Sequence, residues 1–126
     1  MEINEQITVA EYDPKWPNFF NREKEAILGL GPFEHSSVEH FGSTAVPGLH
    51  SKPIIDILIG VDILPPSMEQ ILGLGSIFYE SMGEGGVPGR YYFRKRQALA
   101  FNVAIVHLNG VLWNNNLLIR DYLRAH

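Results

Sequence analysis

A glycine-bounded run, Gly42-Ser43-Thr44-Ala45-Val46-Pro47-Gly48, is followed closely by Lys52 and then by Asp56 inside an apolar stretch. A small Gly-Ser turn lets backbone N–H groups approach a phosphate, and a carboxylate on the next strand can hold Mg²⁺ against it. Lys52 carries the charge to neutralise phosphate oxygens or, equally, to pair with a carboxylate such as Glu39. The pattern suits phosphoryl chemistry; a tight turn beside a buried, hydrogen-bonded aspartate accounts for the same residues without any. Just before the turn, the His40 imidazole can titrate near neutral pH, ligate a metal beside Asp56, or simply hydrogen-bond backbone. Further along, Arg90, Arg94, Lys95 and Arg96 interleave with Tyr91, Tyr92 and Phe93. Strand alternation puts Arg90, Tyr92 and Arg94 on one face, where they can clamp a phosphate and stack on a base. The plainer alternative is an edge strand protected by charge. His35, His50, His107 and His126 have no metal-binding spacing and read as scattered surface residues.

Composition narrows the chemistry. With 126 residues, 45% of them hydrophobic and 19% charged, the chain must fold, and as one domain. Fourteen acidic against ten basic side chains give a net charge of -4, so neither nucleic acid nor an anionic membrane is the expected partner. The absence of cysteine excludes disulfides, thiolate zinc sites and cysteine nucleophiles. The longest apolar stretch, Ile54 to Val61, is interrupted by Asp56 and falls far short of the ~20 residues of a membrane helix. An acidic N-terminus with no hydrophobic region after it makes the cytoplasm the expected location.

Several elements must position these residues. Ile7-Thr8-Val9 is a short β-branched run, and Asp13-Pro14 starts a helix near 16–29 that Gly29, Gly31 and Pro32 stop. Strands are expected near 36–42, 54–61, 77–80, 90–96 and 98–107, the run Ile77-Phe78-Tyr79 supplying the third. The segment carrying Asp56 is nearly continuously apolar, as a central strand covered on both faces would be. The last two strands are close enough in sequence to form an antiparallel hairpin. Helices are expected near 67–74, capped by Ser67, and near 112–125.

The run Glu39-His40-Phe41-Gly42-Ser43-Thr44-Ala45-Val46-Pro47-Gly48-Leu49, with Lys52-Pro53-Ile54-Ile55-Asp56-Ile57, resembles the hallmark of the GrpB family. So do Tyr12-Asp13-Pro14-Lys15-Trp16-Pro17, Val87 to Lys95, and Arg120 to His126, in the family's order. The resemblance implies a nucleotidyltransferase-like α+β fold: a mixed, largely antiparallel sheet with flanking helices. It implies further helix beyond His126, so residues 1–126 read as a single domain truncated at its C-terminus. In the superfamily a Gly-Ser turn precedes a strand with two carboxylates one residue apart. Gly42-Ser43 and Asp56 match, but Leu58 stands at the second carboxylate position. Asn102 and Ala104 stand where relatives carry a His-x-His.

These departures weaken a two-metal transfer reaction, which needs several carboxylates to bridge both ions. The expectation is a protein that binds a nucleotide or other phosphorylated small molecule, with Gly42, Ser43, Thr44, Lys52, Arg90 and Arg94 as its binding residues. Asp56 and His40 are the candidate catalytic pair, and Asp56 the one metal ligand, holding Mg²⁺ weakly. The alternative is an active Mg-dependent nucleotidyltransferase using Asp56. Trp113, Leu117, Leu118 and Tyr122 form an apolar stripe, for which a homodimer is the expected cover.

Overall fold

The computed structural model describes residues 8–126, so Ile7 and the start of its β-branched run lie outside the described residues. Thr8 and Val9 join no strand, and Ala10 makes a single antiparallel bridge to Ser51. The first helix, α1 (Trp16–Leu28), begins where Asp13 Oδ1 accepts the Lys15 N–H at 2.8 Å, and Pro17 sits in its first turn, where the missing N–H costs nothing. Five strands follow: β1 (Ser37–Phe41), β2 (Ile54–Val61), β3 (Glu80–Ser81), β4 (Tyr91–Arg96) and β5 (Ala100–His107). Between β2 and β3 lies α2 (Met68–Ser76), started by a reciprocal capping box between Ser67 and Gln70. The last helix is α3 (Val111–Ala125).

The strands order as β1-β2-β5-β4-β3, with β2 and β5 parallel and every other pair antiparallel. This is the mixed, largely antiparallel sheet that the family resemblance implied. One expected strand is corrected: Ile77 to Tyr79 close α2 instead of extending from it. Their N–H groups bond back to the carbonyls of Leu74 and Gly75, and Phe78 takes φ 75°, so none of the three is free for a ladder. Pairing to β4 begins only at Glu80 and lasts two residues.

Alternation divides the sheet's side chains between two unequal cores. Ile55, Ile57 and Ile59 of β2, with Val103 and Ile105 of β5, face α1 and α2 and join Phe20, Ile27 and Leu74 in the larger core. On the other face Leu58, Ala104 and Val106 meet Trp113 of α3. Gly60 permits that packing, because a Cβ there would come within 2.8 Å of Leu108 and 2.9 Å of Trp113. Beyond Trp113 and Leu117 the apolar stripe of α3 turns outward, leaving Leu118 and Tyr122 exposed. No helix among the described residues is long and apolar enough to cross a membrane.

Candidate functional site

Asp56 stands near the start of β2, on the α3 face of the sheet, and its neighbours are set by register. Antiparallel pairing places Phe41 beside it, and parallel pairing places Asn102 on the other side. The chain turns sharply at Gly42, at φ 74°, and runs so close that a Cβ there would lie 2.5 Å from Asp56 Oδ2. Glycine is therefore needed twice over, for its backbone angle and for the carboxylate behind it. Asn102 Nδ2 donates to Asp56 Oδ1 at 3.0 Å, while Asn102 Oδ1 accepts from Arg96 at 3.0 Å. The amide is thus oriented by two partners, linking the carboxylate to a guanidinium. Burial pushes the Asp56 carboxyl up to about 6, against the opposing pull of the Asn102 hydrogen bond and the Arg96 charge.

Two cavities meet at this carboxylate and share Asp56, Tyr92 and Asn102. One, of about 590 Å³, is polar and cationic, with Ser43, His50, Lys52 and Arg96 in its walls. The other, of about 340 Å³, runs between the sheet and α3 over Phe41, Leu58, Ala104 and Val106, with Asn116 and Arg90 at its polar margin. The Arg90 guanidinium lies 5.1 Å from the centroid of the Tyr92 ring, a cation–π contact. Its terminal nitrogen reaches the Gly85 carbonyl at 3.3 Å, and its Nε is buried without a hydrogen-bond partner. Among the described residues Asp56 is the sole carboxylate in either lining.

The sequence-derived candidates divide on these coordinates. Gly42, Ser43, Lys52, Asp56 and Arg90 converge on the paired cavities. His40 is corrected: it cannot stand beside Asp56, because it pairs with Ile57 across the ladder and so faces α1. There its ring stacks on Phe20 at 4.9 Å, and Nε2 shares a 2.9 Å hydrogen bond with Thr44 Oγ1. Burial first, then the nearby charges of Arg124 and Arg120, lower its pKa to about 4. Thr44 is buried with it, and its hydroxyl faces His40 rather than either cavity. Glu39 binds Arg120 of α3 at 2.6 Å, so Lys52 does not have it as a partner. Arg94 lies against Glu80 of β3 at 3.2 Å and lines neither cavity.

Three contributors were not among the binding residues expected from the sequence. Arg96 takes the place in the cationic lobe that Arg94 was expected to hold, two residues along the same strand face. His50, read as a surface residue, lines the same lobe; its closeness in sequence to Lys52 was the available signal. Asn116 reaches the apolar lobe from α3, and nothing local in the sequence marks that contact.

The donor set does not fit a two-metal centre. Asp56 is one carboxylate, its Oδ1 accepts from Asn102, and Leu58 and Ala104 occupy the next positions on the same face. Among the described residues no group of three or more His, Cys, Asp or Glu side chains is arranged to hold a metal ion.

The family model described as GrpB protein matches residues 6–126. The UPF0157 protein YqkA of Bacillus subtilis is 36% identical over 126 residues, which cover 96% of this chain and 36% of the relative. The UPF0157 protein PA4798 of Pseudomonas aeruginosa is also 36% identical, over 131 residues, covering 98% of this chain and 52% of the relative. The chain thus spans between a third and about half the length of these curated relatives. Among solved structures, the conserved protein GrpB from Enterococcus faecalis superposes with a TM-score of 0.80 at 36% identity, over 94% of this chain and 73% of that one. The Cid1 poly(U) polymerase in its MgGTP-bound form superposes with a TM-score of 0.60 at 12% identity, over 94% of this chain and 40% of that one. The last likeness is one of fold, which is nucleotidyltransferase-like.

Proposed function

The chain belongs to the GrpB family, and from that premise we propose that it binds a nucleotide or other phosphorylated small molecule in the paired cavities, with no metal-centred transfer reaction. The observation that carries this reading is the charge of the cationic lobe, whose lining among the described residues sets Lys52 and Arg96 against one carboxylate, Asp56. Fixed cations in a concave, partly desolvated site attract phosphate oxygens more strongly than the same charges in open water. Ser43 adds a hydroxyl that can donate to an oxygen of the same group. The fold likeness to a polymerase solved with MgGTP puts nucleotides among the candidate ligands.

A second reading, an active Mg-dependent nucleotidyltransferase, rests on Asp56 of β2, which the family resemblance matches to the superfamily's first carboxylate. The two readings separate in one experiment. Thermal shift and calorimetry with pyrophosphate, ATP, UTP and coenzyme A are run with Mg²⁺ and with EDTA, on the wild-type chain and on Lys52→Ala. A ligand that binds the native state raises its apparent stability by mass action. Binding is expected to persist in EDTA and to weaken about tenfold in Lys52→Ala, the loss of one charge-assisted contact. Binding that requires Mg²⁺, with turnover abolished by Asp56→Ala, supports the enzyme instead. No stabilisation by any of the four ligands overturns both.

A further inference from the structure

We propose that the outer face of α2, with Phe78 at its end, docks a basic amphipathic helix of a partner protein. The surface is separate from the cavities at Asp56 and does not depend on what they bind.

The way α2 ends carries the inference. The Tyr79 N–H bonds to the Leu74 carbonyl at 3.0 Å and the Phe78 N–H to the Gly75 carbonyl at 3.1 Å, the two nested bonds that close a helix through a residue in the left-handed region. That residue is Phe78, at φ 75°. Glycine takes this conformation freely, whereas a bulky side chain is strained there. Leu74 and Tyr79, which flank the turn, are both buried in the larger core. Phe78 is 68% exposed, so burial of its ring does not offset the strain. Folding accounts for Leu74 and Tyr79 and leaves Phe78 unexplained. An aromatic ring held in solvent by a strained backbone is suited to anchor a partner.

The rest of α2 extends that anchor into a surface. Met68 and Leu72, one turn apart on its outer face, are 66% and 65% exposed, and Ile63, just before the helix, is 78% exposed. Nothing lies within 4 Å of where a Cβ would stand at Gly75, so the helix backbone between Leu72 and Phe78 is open to close approach. Apolar groups gathered on one element in this way mark an interaction surface.

Charge selects the occupant. Residues 53–89 contain five acidic side chains and no Lys, Arg or His. Glu69 stands next to Met68 in the first turn of α2. Asp62 and Glu34 line a cavity with Ile63, in which His35 is the sole basic group among the described residues. Arg94, across the ladder from β3, already pairs with Glu80. A second copy of this face would bring the same acids against it, and an anionic lipid surface would be repelled. An added strand finds little to pair with, since β3 is only two residues long. A helix whose apolar stripe is flanked by Lys or Arg meets both the apolar groups and the acids.

The test uses the whole chain and two peptides of about 14 residues, an amphipathic helix of leucine and lysine and its counterpart with glutamate in place of every lysine. Methyl NMR is expected to show the lysine peptide shifting Met68 and Leu72, with affinity falling as salt is raised, and the glutamate peptide not binding. Phe78→Gly is expected to weaken the lysine peptide about tenfold and at the same time to raise the melting temperature, since glycine relieves the strained turn. A variant that melts below wild type, or that keeps its affinity for the lysine peptide, makes Phe78 merely structural and overturns the proposal. So do equal binding of the two peptides, no binding of the lysine peptide, or shifts confined to Leu118 and Leu123 of α3. Concentration-dependent shifts at Met68 and Leu72 in the chain alone assign the surface to a second copy and overturn it as well.

Discussion

On the α1 side of the sheet the polar groups close on one another in pairs, one of which, Glu23 with Lys95, also lines a cavity of about 320 Å³, whereas on the α3 side Asp56 stands where two cavities meet. Glu23, buried in α1, accepts from Tyr79 Oη at 2.7 Å and pairs with Lys95 of β4 at 2.5 Å. The Lys95 ammonium also lies 4.9 Å from the Tyr79 ring and 5.4 Å from that of Phe101. His40 and Thr44 satisfy each other in the same layer. Across the sheet, Asp56, Asn102 and Arg96 are joined by hydrogen bonds yet stay in the walls of the cavities. The difference teaches that burial alone does not mark a site. His40 is buried and shifted as Asp56 is, yet it is the more ordinary of the two, because it stacks on Phe20 and shares its Nε2 hydrogen bond with Thr44 inside the core.

The largest effect that would break this contrast lies on the paired side. Glu23→Leu strands the Lys95 ammonium in a mostly buried position without its partner and takes the acceptor from Tyr79. The expected cost is about 3–5 kcal/mol in urea denaturation, with most of it recovered in the double variant Glu23→Leu/Lys95→Met. A cost below about 1 kcal/mol in the single variant would mean that water from the neighbouring cavity solvates Lys95 once Glu23 is gone, and that the pair does not hold this face together.

Next in size is the acid response of His40. Its pKa is depressed in the folded chain, so its contribution is complete above the ordinary value of 6.5 and is lost as pH falls through about 4. The expected loss across that window is about 3 kcal/mol, and His40→Gln is expected to flatten it. Denaturant midpoints measured at half-unit pH steps on both proteins check this.

Asp56 gives the smallest effect, of opposite sign. Its pKa is raised, so its contribution is complete below 3.8 and is lost as pH rises through about 6. Asp56→Asn is therefore expected to be more stable than wild type at pH 7.5, by about 1–2 kcal/mol after allowance for partial exposure, and to match it near pH 3.5. Parallel melting curves at the two pH values read this directly. A variant less stable than wild type at pH 7.5 would show that Asp56 is held as a stabilising ion, and the α3 face would then resemble the paired one.

Much of the fold was legible because it is written in short-range pattern. The apolar spacing and the Gly-Pro stop around α1, the Ser67 cap of α2 and the β-branched run of β2 each need only a few neighbouring residues to be recognised. The Ile77-Phe78-Tyr79 run misled because its apolar side chains suit a strand, while its backbone donors were already spent on ending α2. In the site, Gly42, Ser43, Lys52 and Asp56 were recognisable because they lie along one stretch from the turn into the strand. Arg96 and Arg94 were not separable by alternation, since both lie on the same face of β4. Only the short β3, which brings Glu80 to Arg94, distinguishes them.

By itself, the sequence determined the succession of helices and strands and the alternation along each strand. Leu58 had to follow Asp56 onto one face, and His40 and Phe41 had to part, since backbone geometry imposes a period of two over neighbouring residues. Tertiary structure alone decided which strands became neighbours and which face each helix covered. The parallel pairing of β2 with β5 brings Asn102 to a carboxylate 46 residues earlier, and the packing of α3 brings Asn116 over the same cavity. Those meetings depend on long-range pairing and packing, which no local pattern encodes, and they turn one turn and one aspartate into two joined lobes.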